Sequence, residues 1–141
     1  MAFKFEDLRV WNLAIDLSTE ISILIKKFPS EEKFVLATQI QRAADSVALN
    51  IAEGSTGQSN PEFKKFLGYA SRSGIEVVSC LYLGKKRKII TEDDFLRLYK
   101  SYEELTIKIQ ALKNSILTEI IYQSAVDCRQ WTDDDNNSKC I

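Results

Sequence analysis

The amino-acid sequence predicts an all-α protein, an antiparallel up-down-up-down four-helix bundle. Four segments, each about 20 or more residues long, carry apolar side chains at alternating three- and four-residue spacing, which is the period of an amphipathic helix. Only two prolines and five glycines interrupt the 141 residues, so long helices can form. The connections between the predicted helices are short, which places consecutive helices side by side in opposite directions.

The first two helices are predicted from about Leu8 to Phe28 and from Ser30 to about Gly54. Pro29 ends the first helix because proline cannot continue it. Ser30 is predicted to cap the second helix, followed by two glutamates in the first turn. Gly54 is predicted to take the left-handed conformation that ends many helices.

The third and fourth helices are predicted from Asn60-Pro61 to the mid-80s and from Thr91 onwards. Asn60 suits an N-cap and Pro61 suits the first helical position. Thr91 followed by three carboxylates is typical of a helix start. The fourth helix has an unbroken apolar seam made by Phe95, Leu98, Tyr102, Leu105, Ile109, Leu112 and Ile116. We predict one bundle domain over residues 1–122 and an acidic, disordered tail over residues 123–141.

The composition excludes several classes of function. A net charge of −1 creates no global field that attracts nucleic acid. The chain has no histidine, so it lacks the commonest general base and metal ligand. Three cysteines without a C-x-x-C pair, no secretory leader and no long apolar run favour a reduced, cytoplasmic protein without membrane contact. We expect no catalytic residues, no metal and no cofactor.

A wholly polar stripe lies on the second predicted helix, beside its apolar stripe. One interpretation is a solvated helix face, and the other is a polar seam against another helix or another subunit, in which Arg42 pairs with a carboxylate such as Glu53 or Glu76. Serine and asparagine are mediocre helix formers, so a merely solvated face has no need of them. The candidate seam residues are Gln39, Arg42, Ser46, Asn50, Glu53 and Glu76.

A basic stretch over residues 61–88 holds seven cations and two carboxylates. Cations bind phosphates through charge, and the effect grows with the number of phosphates neutralised. A run of charge is also typical of a solvated helix end, so both interpretations stay open. The candidate nucleic-acid-binding residues are Lys64, Lys65, Arg72, Lys85, Lys86, Arg87 and Lys88.

The sequence resembles the four-helix-bundle proteins encoded in intervening sequences of bacterial 23S ribosomal RNA genes. The resemblance covers roughly residues 5–117. It depends on five segments, namely residues 5–11 (FEDLRVW), 39–44 (QIQRAA), 50–54 (NIAEG), 60–63 (NPEF) and 70–76 (ASRSGIE).

The resemblance implies a left-handed antiparallel bundle and, from its relatives, a ring-shaped homopentamer. The molecular function of most members is undefined, with nucleic-acid binding the usual suggestion. A related branch serves as accessory protein to the reverse transcriptase of diversity-generating retroelements and is strongly basic, unlike this chain. Family members tend to carry an apolar residue and a glycine in the turn before helix 4, where this chain has Arg87 and Lys88.

Two hypotheses of function follow. The leading one is a non-enzymatic, homo-oligomeric bundle that binds RNA or a ribonucleoprotein through the basic end of helix 3. The alternative is a structural or adaptor module that binds a partner protein and no nucleic acid. Catalysis is disfavoured, because Ser73 and Glu76 have no histidine to join them and the Glu-x-x-His motif of di-metal bundles is absent.

Overall fold

The computed structural model describes residues 2–57 and 59–131, with side chains to residue 116, and in this part of the chain it contains helices and no strands. The predicted all-α four-helix bundle is confirmed. The helices are α1 (Arg9–Ile25), α2 (Leu36–Gly54), α3 (Asn60–Lys86) and α4 (Glu92–Trp131). Two short 3₁₀ turns, Lys4–Asp7 and Ser30–Glu32, precede α1 and α2.

α1 and α2 run antiparallel, as the contacts between them demonstrate. Between α1 and α2, Ser22 bonds Gln41 at 2.8 Å and Ser18 bonds Asp45, so rising numbers on one helix meet falling numbers on the other. α4 returns beside α1, where Lys27 meets Asp94 and Glu20 meets Arg97. The left-handed sense implied by the resemblance stays a prediction.

One apolar core runs the length of the bundle and draws on all four helices. Burying these side chains is the main force that holds the helices together, since apolar burial stabilises by about 25 cal/mol per Å². The seam predicted on α4 is inside, and Tyr102 is fully buried with its hydroxyl unpaired among the described residues. The largest fully buried side chains are Tyr102, Ile21, Leu36, Ile40, Ile51, Leu67, Leu81, Leu98, Leu105 and Ile109.

The second helix begins later than predicted. Ser30 makes no capping hydrogen bond and starts a 3₁₀ turn instead, with the amide of Glu32 donating to the carbonyl of Pro29 at 3.0 Å. The α-helix starts at Leu36, after Val35. The serine and the two glutamates thus form a 3₁₀ turn in the connection between α1 and α2, and not the first turn of α2. α1 ends at Ile25, three residues before the predicted Phe28.

The turn between α2 and α3 also differs from the prediction. The left-handed residue is Gly57, with φ of 88°, and Gly54 is the last residue of α2. A Cβ on Gly54 would lie 2.5 Å from the Cβ of Phe66, so this glycine is needed for a close helix contact. The N-cap of α3 is Ser59, whose hydroxyl accepts from the amide of Glu62 at 3.2 Å.

The start of α4 is as predicted. The Thr91 hydroxyl accepts from the amide of Asp94 at 3.2 Å. The helix continues to Trp131. Side chains from residue 117 and the whole of residues 132–141 lie outside the described residues, so the tail predicted over 123–141 stays a prediction.

Candidate interaction surfaces

The seven candidate cations do not form one patch. α3 is a single helix of 27 residues, and Lys65 and Lys85 lie 20 positions apart on it. A rise of 1.5 Å per residue separates them by about 30 Å. Three cations, Lys65, Arg72 and Lys86, are exposed along the outer face, while Lys64 is partly buried.

Carboxylates accompany the basic end of α3. Lys85 Nζ lies 3.2 Å from Glu92 Oε2 and 4.3 Å from the ring centre of Phe95. Arg87 lies 3.8 Å from Glu32. Lys86 and Lys88 belong to no ion pair of the described residues. The electrostatic pull of this end on a phosphate is therefore weaker than its run of four cations suggests.

Lys88 takes an uncommon conformation that ends α3. Its φ is 61°, the left-handed region that glycine adopts without strain. The amide of Lys88 bonds the carbonyl of Lys85 at 3.0 Å, and the amide of Ile89 bonds that of Gly84 at 2.8 Å. These two bonds are a Schellman motif with lysine in the glycine position. The resemblance placed a glycine there, and the backbone keeps the glycine conformation despite the substitution.

The polar stripe of α2 divides into an inner and an outer part. Ser73 of α3 donates to the Ser46 hydroxyl at 2.9 Å, so Ser46 belongs to the α2–α3 contact. Asn50 is partly buried and donates within α2, to the Ser46 carbonyl at 2.8 Å. Gln39, Arg42 and Glu76 are exposed and line a groove of about 560 Å³ on the α2–α3 side.

Arg42 forms no ion pair with Glu53 or Glu76 within the described chain. Glu53 is exposed at the far end of the stripe. The pairing expected of a polar seam is thus not made inside one copy, and a role at a subunit interface stays a prediction.

A groove of about 980 Å³ lies between α1 and α2 and is here called the α1–α2 groove. Its apolar wall includes Ile25, Phe34, Ala37 and Leu49. Phe34 is 85% exposed and Leu49 is 65% exposed.

Three cations and one carboxylate surround this apolar wall. Lys26, Lys33 and Arg42 line the α1–α2 groove and belong to no ion pair of the described residues. Asp45 accepts hydrogen bonds from Ser18 and, at 2.9 Å, from Gln41. The groove therefore combines exposed apolar surface with unpaired positive charge.

The sequence interpretation missed Phe34 and Leu49. Phe34 was placed inside a helix that had not yet begun. Leu49 lies about 200° from the buried Val47 around α2, so its position on the helical wheel already marked it as outward-facing.

Within the described residues, no cluster of histidine, cysteine, aspartate and glutamate could hold a metal ion. Cys80 is a buried free thiol, and its pKa is raised by burial and by nearby Glu76. The side chains of Cys128 and Trp131 and all of Cys140 lie outside the described residues. No described helix is both long and apolar enough to cross a membrane.

Comparison with known proteins agrees with this architecture. A solved protein of unknown function from the S23 ribosomal protein family of Bacteroides thetaiotaomicron VPI-5482 superposes with a TM-score of 0.70. It is 24% identical and covers 74% of this chain and 95% of its own, which establishes a shared fold. No curated protein matches the chain.

A match to a protein-family model shows that the similarity includes the sequence as well as the fold. The model described as 23S rRNA-intervening sequence protein matches residues 6–111, which include α1, α2, α3 and the first half of α4. The matched region holds the turn with Lys88 and both grooves beside α2. The chain belongs to the family of 23S rRNA-intervening sequence proteins.

Proposed function

We propose that this chain is a non-enzymatic adaptor that binds protein through the outward surface of α2. One observation carries the proposal, namely the exposure of Phe34 and Leu49 beside the α1–α2 groove. Exposed apolar side chains next to a concave surface are typical of protein-binding sites. Val35, which is also exposed, widens the same apolar surface.

The absence of enzymatic activity belongs to this proposal. Ser73, which the sequence places one helical turn from Glu76, donates its hydroxyl to Ser46 Oγ at 2.9 Å and not to a carboxylate. No described base therefore takes the Ser73 proton, and this hydroxyl is not activated for attack.

A photo-crosslinking amino acid at Thr38 tests the proposal in cells, because Thr38 is exposed and lines both grooves beside α2. The matched control carries it at Ile107, which is 64% exposed on α4. We expect a nuclease-resistant protein adduct at position 38 and less at 107. Adducts to nucleic acid alone, or equal adducts at both positions, contradict the proposal.

The same adduct tests self-association. The homopentamer implied by the resemblance predicts a crosslinked product of twice the chain mass, and native mass spectrometry then gives the number of copies. If Arg42 pairs with a carboxylate of a neighbouring copy, Arg42→Ala lowers the oligomer mass. An unchanged mass favours the solvated-face interpretation of Gln39, Arg42 and Glu53.

RNA binding remains a second candidate, supported by the exposure of Lys86 and Lys88 without carboxylate partners. Replacing all four residues of 85–88 by glutamine should then weaken RNA binding and flatten its salt dependence, since each phosphate contact adds to the slope. RNA affinity that is unchanged in this variant removes the basic turn as the binding site.

A further inference from the structure

A cavity of about 500 Å³ at the C-terminal end of α3 combines an aromatic ring with positive charge, and it is here called the Tyr82 pocket. It is lined by Tyr82, Lys85, Lys86 and Lys88. None of these described lining residues is a carboxylate, so the wall of the pocket attracts anions. A volume of this size is typical of pockets that hold small organic ligands.

The ring of Tyr82 is held in place and is still accessible. It packs against Phe95 with 4.9 Å between the ring centres and against Tyr99 with 6.2 Å, both in edge-to-face geometry. Tyr82 nevertheless remains 51% exposed. An accessible aromatic ring that its neighbours hold in one orientation suits a nucleobase, since every base has a flat face that stacks on aromatic side chains.

Two of the three lysines are available to an anion. Lys85 is already engaged, since its Nζ lies 3.2 Å from Glu92 Oε2 and 4.3 Å from the ring centre of Phe95. Lys86 and Lys88 are exposed and belong to no ion pair of the described residues. A phosphate monoester carries a charge of roughly −1.5 to −2 at pH 7, which two lysines match.

Lys88 has a conformation that the helix end alone does not explain. Lysines at positions 85 and 86 suit the end of any helix, because cations there stabilise the helix dipole. Lys88 instead has a φ of 61°, where glycine is unstrained and a residue with a side chain is strained. A strained residue that brings a free charge to a cavity indicates that the charge has a binding role.

The surroundings of the pocket favour a small ligand over a nucleic-acid strand. Carboxylates lie beside this end of α3, with Glu92 next to Lys85 and Glu32 at 3.8 Å from Arg87. The preceding cation of α3 is Arg72, 13 positions before Lys85 and therefore about 20 Å away. A strand that left the pocket along α3 would find no continuous track of cations for its phosphates.

We infer that the Tyr82 pocket binds a free nucleotide, with the base stacked on Tyr82 and the phosphate against Lys86 and Lys88. The inference goes beyond the proposed function, since it involves neither α2 nor a protein partner. It also differs from the RNA-binding candidate, because a single nucleotide makes both kinds of contact.

Equilibrium dialysis of the full chain with adenosine 5′-monophosphate (AMP) tests the inference. The competitors are ribose 5-phosphate, which lacks the base, and adenosine, which lacks the phosphate. We expect each to compete about tenfold or more weakly than AMP, because each makes one of the two contacts. A 5′-phosphorylated decamer of adenosine should bind less than tenfold tighter than AMP. Absence of AMP binding, or a decamer that exceeds this limit, overturns the inference.

Lys88→Gly is the sharpest variant because its two expected effects have opposite signs. Glycine relieves the left-handed strain, so the melting temperature should rise, and it removes a phosphate contact, so AMP should bind about fivefold more weakly. Tyr82→Leu should weaken AMP about tenfold and leave ribose 5-phosphate unchanged. The control Lys100→Gln removes an exposed cation of α4 that does not line the pocket, and it should leave AMP binding unchanged.

The remaining outcomes contradict the inference in different ways. AMP binding that survives both Lys88→Gly and Tyr82→Leu places the nucleotide elsewhere on the protein. An equal loss in Lys100→Gln shows only a general attraction between cations and phosphate. RNA binding without any AMP binding removes the Tyr82 pocket and leaves the RNA-binding candidate standing.

Discussion

α2 and α3 meet through small residues in close contact, whereas the outer edge of the α1–α4 pair is bridged by long charged side chains. In the first pair, Gly54 lets Phe66 approach, and Ser46 bonds Ser73 at 2.9 Å. In the second pair, Lys27 meets Asp94 at 3.3 Å and Arg97 meets Glu20 at 3.1 Å. The two contacts therefore respond to different perturbations.

The difference follows from the physics of each interaction. Close packing depends on volume, so one added methyl group is felt where a neighbouring atom cannot move. Ion pairs at the surface depend on charge and are screened by water and salt. The α2–α3 contact should therefore be sensitive to size, and the outer α1–α4 edge should be sensitive to salt and pH.

The largest expected effect is that of Gly54→Ala. The new Cβ would lie 2.5 Å from the Cβ of Phe66, which is fixed to the α3 backbone, so the helices must separate. We expect a loss of about 1–3 kcal/mol in the free energy of unfolding, measured in urea. The control is Gly68→Ala, whose Cβ meets only the Lys113 Nζ at 3.4 Å and should stabilise by up to about 1 kcal/mol. If both variants behave alike, α2–α3 packing is not size-limited.

Gly84→Ala should have a smaller effect. Its Cβ would meet both Cγ1 and Cδ1 of the buried Ile90 side chain, and Leu36 Cδ2 at 3.4 Å. These side-chain atoms move when a χ angle changes, whereas the Phe66 Cβ that meets Gly54 is fixed to its backbone. The gain in helix propensity offsets part of the strain, so we expect a loss of about 1 kcal/mol or less. A loss larger than that of Gly54→Ala would show that the Ile90 end of the bundle is the tighter one.

Arg97→Gln should reduce stability by less than about 1 kcal/mol, because its partners Glu20 and Asp94 are paired near the surface. Unfolding in low salt and in 1 M salt provides the check, since the difference from the unmodified protein should disappear in high salt. A difference that survives high salt would assign Arg97 a packing role and break the contrast.

The smallest effect concerns the pH dependence of Asp94. Burial raises the pKa of this carboxyl, but hydrogen bonds from Lys27 and Arg97 outweigh it and hold the pKa below its usual value. A lowered folded-state pKa stabilises the fold fully above the unfolded value of about 3.9, and this is lost as the pH falls through the folded value. In Asp94→Asn, the free energy of unfolding should fall less steeply as the pH is lowered below about 4. An unchanged fall would show that other carboxylates control the stability at acid pH.

The sequence was sufficient to predict the helices because their apolar periodicity is strong and uninterrupted. The cap at Thr91 was predicted correctly because a hydroxyl followed by carboxylates suits a helix start. Ser30 has a similar pattern yet begins a 3₁₀ turn, since the path from α1 to α2 is set by how the helices pack. The left-handed conformation predicted for Gly54 is found at Gly57, because a sequence does not tell a left-handed glycine from one required by a close neighbour.

The candidate surfaces were harder to predict because they depend on distance in space. The net charge counted over residues 61–88 treated as one patch cations that α3 holds about 30 Å apart. It also omitted Glu32, which lies beside Arg87 only after the chain has folded. Phe34 became visible as an exposed anchor only when the start of α2 was known.

The buried thiol of Cys80 makes it possible to measure how fast the helix bundle opens. A thiol-specific dye reacts with the thiolate, and Cys80 is both inaccessible and held in its protonated form. Labelling must therefore wait until α3 leaves the core, so its rate reports that motion. In a variant with Cys128 and Cys140 changed to serine, the labelling rate of Cys80 would give the rate at which the bundle opens. Repeating the measurement with a bound partner would show whether the partner slows this opening.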